Sequence, residues 1–518
     1  NTAVGYLALQ ANTTGANNTA IGAFALDANT TADNNTSIGY ASLSANTTGT
    51  QNNAFGVNAL TANTGGNYNV TMGTNSLMSN TTGSANTVLG TNAMLVNTTG
   101  DNNVAIGAYA LDANTTGIRG VAIGRDALGA NTEGDRNVAI GYYALYSNTT
   151  VDYLTAVGYA ALYANTAGTQ NTGLGYAALF TNTTGSSNTA VGYNSLDHNS
   201  TGSDNTAVGS QSLDSNTTGN DNTAVGDRSL YTNTTGGENT AVGNRALYAN
   251  NASNNTAVGN EALENCTTGS GNTAMGHRAL EEDTTGGQNT AIGAYAGDDI
   301  TTGASNALLG FDAGETITTG NGNTCVGRGA GKRSNNDDNT FIGLYAGQYV
   351  SATAGGNGLR NTIVGAYAGD SLTTGQNVTC IGYDSEPSGS GSENQVTLGN
   401  SAISSLRCNQ TSISSLSDGR DKIDVVDLPV GLDFIKGVRP VKFKWQRREP
   451  DANDGKIRAG FIAQELQSVQ GNNDYLDLVM DDNPDKLEAK QGNLIPVMVQ
   501  AIKELSAEVE QLKSQLNN

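Results

Sequence analysis

The sequence predicts a mostly β protein: a parallel β-roll or β-solenoid of about 17-residue repeats, trimeric, followed by a small α/β domain with a C-terminal coiled-coil helix. Three observations carry this. A motif of the form Asn-Thr-Ala-Val-Gly recurs through about four fifths of the chain. Charged residues make up 14% of 518 and prolines number 6, while glycines number 67, against the roughly 25% charge of ordinary soluble domains. Past residue 416 the composition changes and the chain closes on heptad-spaced apolar residues.

The repeat comes first, because a fixed period of this length governs everything else. Its glycine falls at 5, 22, 39 and onward to 399, in 24 copies. The spacing is 17 except for steps of 16 at 243 to 259 and 327 to 343, and of 22 at 343 to 365. The long step carries the insertion Ser351 to Gly358, read as an outward loop. A typical unit runs Asn188-Thr189-Ala190-Val191-Gly192-Tyr193-Asn194-Ser195-Leu196, then the polar turn Asp197-His198-Asn199-Ser200-Thr201-Gly202-Ser203-Asp204. No apolar face at helical spacing survives such glycines and β-branched residues, so the units are strands and turns.

Seventeen residues cannot enclose a core alone, but stacked coils can, with strand over strand at ~4.8 Å. On this reading the Val/Ile, Ala and Leu positions line up as interior columns, and the stack extends on the order of 115 Å. Three or four apolar side chains per coil are few for a single-chain solenoid. The expectation is therefore that three chains merge their inner faces around one axis. The stalk is placed at 1–400, a junction at 401–416 and a separate domain at 417–518.

The formal net charge of -22 is uneven: 29 acidic and 11 basic side chains lie in 1–416, against 18 and 14 in 417–518. Lys332 is the one lysine before the boundary. Such an acidic stalk is a poor ligand for nucleic acid. No apolar run approaches the ~20 residues of a membrane helix. Cys266, Cys325, Cys380 and Cys408 lack metal or disulfide spacing and read as buried fillers. The chain opens inside a repeat, so the true N-terminus is expected to be missing, and with it the region that would join a virion baseplate or tail protein.

From Ser417 the run Ser417-Asp418-Gly419-Arg420-Asp421-Lys422 leads into mixed α/β composition with Gly460-Phe461-Ile462-Ala463-Gln464-Glu465. The spacing of Met498, Ile502, Leu505, Val509, Leu512 and Leu516 predicts a helix over about 494–516 with an a/d seam that asks for partner helices.

Two resemblances attach to these residues. The Asn-Thr-Ala-Val-Gly-x-x-Ala-Leu repeats, closing on Ser392-Glu393-Asn394-Gln395-Val396-Thr397-Leu398-Gly399-Asn400, resemble the trimeric β-roll heads of autotransporter adhesins and related bacteriophage fibres. The Ser-Asp-x-Arg-x-Lys run, the Gly-Phe-Ile-Ala-Gln-Glu motif and the Leu-Ile-Pro-Val-Met-Val-Gln-Ala-Ile-Lys-Glu-Leu helix together resemble the endosialidase-type intramolecular chaperone of phage tailspikes and fibres. That resemblance implies a homotrimer whose chaperone cuts itself off in a single turnover. Ser417 would be the nucleophile and Lys422 its general base, Asp418 and Arg420 would support them, and the scissile bond would join Leu416 to Ser417. Without the companion motifs, Ser-Asp before a charged run would read as a helix or turn cap.

Other signals are set aside. Gly327-Arg328-Gly329-Ala330-Gly331-Lys332 lacks phosphate-loop spacing and falls on the repeat glycine. The Asn-x-Thr triplets recur with the turn, which asparagine and glycine explain without sugar. His198 and His277, alone in the chain, sit in different coils with no partner at ligand spacing. Neither a cofactor nor a metal is expected. Tyr159, Tyr176 and Tyr193 follow repeat glycines and suit either repeat packing or a saccharide-binding surface.

The leading functional expectation is a host-receptor-binding phage tail fibre, assembled in the host cytoplasm, carried on the virion and extracellular after release, with a saccharide among the candidate receptors. The alternatives are a bacterial surface adhesin of the same architecture, an ice-binding solenoid using stacked threonines, and a polysaccharide-cleaving spike, for which no carboxylate pair stands out.

Overall fold

The computed structural model describes residues 1–351, 358–403, 405–407, 417–445, 455–481, 485 and 487–517, and divides into two compact units, Asn1–Asn335 and Asn336–Asn518. Most of the expected insertion loop, Cys408 and Leu416 lie outside the described residues. The division at 335 falls within the repeats, ahead of the composition change near 416.

The first unit is a ladder of twenty three-residue strands, β1 (Thr2–Val4) to β20 (Thr324–Val326). Neighbours are parallel and in register, with Thr2 opposite Thr19, Ala3 opposite Ala20 and Val4 opposite Ile21. Each coil closes its backbone hydrogen bonds on the coils beside it: Thr2 N donates to Asn18 O at 2.8 Å, and Gly22 N to Val4 O at 2.8 Å.

The glycine that ends each strand is required by geometry. At Gly192 φ is +142°, and an added Cβ would collide with the carbonyl of Gly209 in the next coil. Three non-glycine residues of the same coil also take left-handed backbone: Asn194, Leu196 and Asp204, at φ +50°, +51° and +59°. A left-handed leucine costs about 1–2 kcal/mol. Full burial of Leu196, worth about 1.5–3 kcal/mol, offsets that cost, and its N–H donates to Ser212 O at 3.0 Å.

Coil interiors differ from the sequence expectation. Ala190, Ser195 and Leu196 point inward and are fully buried, whereas the Val/Ile column turns outward, leaving Ile292 38% and Met275 45% exposed. Period-2 alternation forces this, since Thr189 and Val191 share one face and Ala190 takes the other. The polar turn is also partly interior. Asn199 is fully buried, donating from Nδ2 to Asn182 Oδ1 at 2.8 Å and to Gly202 O at 2.9 Å. Asn188, equally buried, donates to Gly202 O at 2.8 Å and accepts from Asn205 N at 3.0 Å. Two asparagine ladders thus complete a core that the apolar residues alone would leave thin. Within the single chain the Ala, Leu and Asn columns are already enclosed.

Toward the end of this unit the core changes composition. Gly297 stands where earlier coils have leucine, and an added Cβ there would lie 2.6 Å from Leu308 Cδ1. Ile300 and Ile317 replace asparagines of the inner ladder and are fully buried.

The second unit opens with four strands of the same kind, β21 (Thr340–Ile342), β22 (Thr362–Val364), β23 (Thr379–Ile381) and β24 (Val396–Leu398). Thr340 still pairs with Thr362, so the 22-residue step leaves the ladder in register. Then follow α1 (Leu432–Gly437), the antiparallel pair β25 (Val441–Lys444) and β26 (Ile457–Gly460), α2 (Ala463–Gln470), the pair β27 (Val479–Met480) and β28 (Glu488–Ala489), and α3 (Leu494–Leu516). The helix α3 has the bounds that the heptad seam predicts. Leu466, Leu476, Leu478, Leu494 and Val497 form the core of this small α/β domain, with Phe434 packed against them. Glu504 of α3 accepts from Leu432 N at 2.6 Å, holding the start of α1 where Gly431 leaves no side chain in the way. No described helix is long and apolar enough to cross a membrane.

Candidate active site

The residues Ser417 to Lys422 are organised by one short 3-10 turn, Gly419–Asp421. Asp418 caps it, its Oδ1 accepting from Arg420 N at 2.9 Å. The Arg420 guanidinium grips the same carboxylate, Nε to Oδ1 at 3.0 Å and Nη2 to Oδ2 at 2.5 Å. These bonds hold the Asp418 carboxyl below its ordinary value and raise Arg420 above its own. With the turn so fixed, the chain folds back and Lys422 Nζ donates to Ser417 Oγ at 2.7 Å.

The four residues named from the sequence are therefore brought together, with the amine within reach of the hydroxyl proton. Leu416, the fifth, lies outside the described residues. Every residue from Ser417 to Asp427 is exposed in the single chain, and Ile423, Val425 and Val426 leave 88%, 76% and 84% of their surface bare. The six seam residues of α3 are also uncovered, from Val509 at 41% to Leu516 at 84%, although Val497 and Ala501 on a neighbouring face are buried.

The Gly460–Glu465 motif joins β26 to α2, and Glu465 accepts from Arg439 Nε at 2.9 Å. That partner lowers the Glu465 carboxyl.

In the stalk, Lys332 is committed to Glu315 and to Asp312, the latter at 2.9 Å, and serves an ion-pair cluster rather than a phosphate loop. Asparagines of the Asn-Thr-Thr triplets, such as Asn182, are buried in the inner ladder. Tyr142, Tyr159, Tyr176 and Tyr193 stack at centroid spacings of 5.6, 5.0 and 5.3 Å. Their faces cover one another, so flat stacking of a sugar is left to the ends of the row. Cys266, Cys325 and Cys380 are buried free thiols, and burial pushes Cys266 and Cys325 up to about 12.

His277 packs edge-on to Tyr295 at 5.2 Å. His198 differs from the sequence reading, because Asp197 and Asp214 lie close to it. Asp214 was invisible to a search for local ligand spacing. The signal was its 17-residue offset from Asp197, which stacking turns into adjacency.

No curated protein and no solved structure matches the chain. The stretch from the serine–lysine contact through the β26–α2 motif does have a counterpart: residues 417–475, stopping short of α3, match the family described as the chaperone of endosialidase.

Proposed function

We propose that this chain is a trimeric fibre of the phage tail type, whose stalk binds a host-surface receptor. In this reading its C-terminal domain templates the trimer and then separates by cleaving the Leu416–Ser417 bond. The observation that carries the reading is the 2.7 Å contact between Lys422 Nζ and Ser417 Oγ within the segment similar to the chaperone family. The exposed α3 seam supports the trimer, since an a/d stripe of this kind is satisfied by like helices.

The chemistry is an acyl shift followed by hydrolysis. Ser417 Oγ adds to the Leu416 carbonyl carbon as its proton passes to Lys422. The C–N bond breaks, the Ser417 nitrogen takes that proton, and water opens the ester left behind. An amine serves as base only when neutral, and enclosure away from water favours the neutral form. Lys422 is exposed in the single chain, so closure of three chains over residues 417–427 would start the reaction and tie cleavage to correct assembly.

The test is expression of the parent chain beside Ser417→Ala and Lys422→Ala. A denaturing gel should show a stalk fragment ending at Leu416 from the parent and only full-length chain from both variants. An uncut parent, or cleavage in either variant, overturns the proposal.

A further inference from the structure

Three ligand-type side chains converge where the coil of β12 (Thr189–Val191) meets that of β13 (Thr206–Val208). Asp197 and Asp214 occupy the same place in successive coils, five residues after Gly192 and Gly209, so their carboxylates stack. His198 follows Asp197, and its Nδ1 lies 3.8 Å from Asp197 Oδ2, 3.6 Å from Asp214 Oδ2 and 3.2 Å from the Asp214 carbonyl. One ligand atom from each of the three residues falls within 4.8 Å of the others.

Two features separate this cluster from ordinary surface acid. Asp214 is only 6% exposed, yet its Oδ1 accepts no hydrogen bond, and Asp197 Oδ1 is likewise buried and unpartnered. Some acids of the same column have cations, Glu264 with Arg245, Glu281 with Arg278 and Glu315 with Lys332, while Asp27 and Asp370 also keep a buried, unpartnered Oδ1 but have no histidine beside them. At 197 and 214 the described ion pairs offer only an imidazole. Arg228, in the coil that follows, donates instead to Gln211 Oε1 at 3.1 Å. The column continues to Phe180 on one side and Tyr231 on the other, so aromatic residues flank the two carboxylates along the stack.

We propose that Asp197, His198 and Asp214 bind a first-row divalent cation that clips these two coils together. One imidazole nitrogen and two carboxylate oxygens are a donor set that zinc accepts, with the remaining position open to water. The His198 ring, 57% exposed, leaves the approach free. Binding needs a neutral imidazole that releases the Asp214 carbonyl and turns its Nδ1 lone pair to the metal.

The experiment titrates the full chain, free of any histidine tag, with zinc against a chromophoric chelator near neutral pH, and follows thermal unfolding with and without EDTA. One zinc per chain is expected to bind at this site and to raise the unfolding midpoint, with EDTA reversing the rise. His198→Ala, a change at an exposed side chain, and Asp214→Asn should each weaken binding roughly tenfold or more, while Glu281→Gln leaves it unchanged. Equal binding by the parent and His198→Ala, or no binding by the parent, overturns the site.

Discussion

The ring of Phe341 fills the space that a side chain at position 347 would need: a Cβ added to Gly347 would lie 2.5 Å from Phe341 Cδ1. In most coils the strand centre is alanine and the left-handed position is leucine, as in Ala190 and Leu196. Here the volumes are exchanged, and Gly347 keeps the left-handed φ of +59°. Gly347→Leu alone should therefore overpack the coil, costing about 1–3 kcal/mol, and Phe341→Ala alone should leave a cavity costing about 3–5 kcal/mol. The double variant restores the alanine–leucine pair and should recover most of both losses in thermal or denaturant unfolding. Simple additivity would refute the exchange.

Asp283 stands in the inner asparagine ladder, fully buried, with Gly286 N donating to its Oδ1 at 2.7 Å. Desolvation raises its carboxyl from 3.8 to about 7. An acid that holds its proton more tightly when folded favours folding at low pH, and that advantage is lost as pH rises from about 4 to about 7. A shift of this size corresponds to a cost on the order of 4 kcal/mol above that window. Asp283→Asn should raise the unfolding midpoint at pH 8 and change it little at pH 4, as scanning calorimetry at the two pH values would show.

Replacing a repeat glycine should break the stack locally. In Gly192→Ala the new methyl meets the Gly209 carbonyl, and φ of +142° disfavours any L side chain. Limited proteolysis and amide exchange are expected to open the Gly192 and Gly209 coils first, while distant coils keep their protection.

If cleavage waits on trimer closure, damage to the α3 seam should stop it from a distance. Leu505→Asp places a charge on an exposed seam position without touching Ser417 or Lys422. Light scattering should find the trimer lost, and the gel should find the chain uncut. A monomer that still cuts itself would separate the chemistry from assembly.

Much of this was legible in the sequence, and the parts that were not share a cause. The 24 strands follow the glycine count, and α3 follows the spacing of Met498 to Leu516. Hydropathy alone put valine inside, because Val191 is greasier than Ala190. The narrow coil mostly takes alanine at the strand centre; Val88 fits beside Met94 and Thr71 beside Leu77, and Phe341 sits where the left-handed leucine gives way to Gly347. Asparagine was read as a turn former, which it is, but Asn199 also meets its copies one period away and becomes a core residue. Asp214 reached His198 by the same offset. At the candidate site, the Ser417 to Lys422 run was recognisable through its companion motifs, but the fold-back that joins its ends depends on the Asp418–Arg420 grip. Contacts along the chain were readable, and contacts across one period had to be folded to be seen.

The ladder bonding has one more consequence, for inheritance. A coil bonds to whatever coil lies beside it, and a 16-residue coil pairs as well as a 17-residue one, with Val242 opposite Val258. Unequal crossing-over between repeats would thus yield shorter or longer descendants whose hydrogen bonds all still close, making reach a quantity that selection can adjust without redesigning either end.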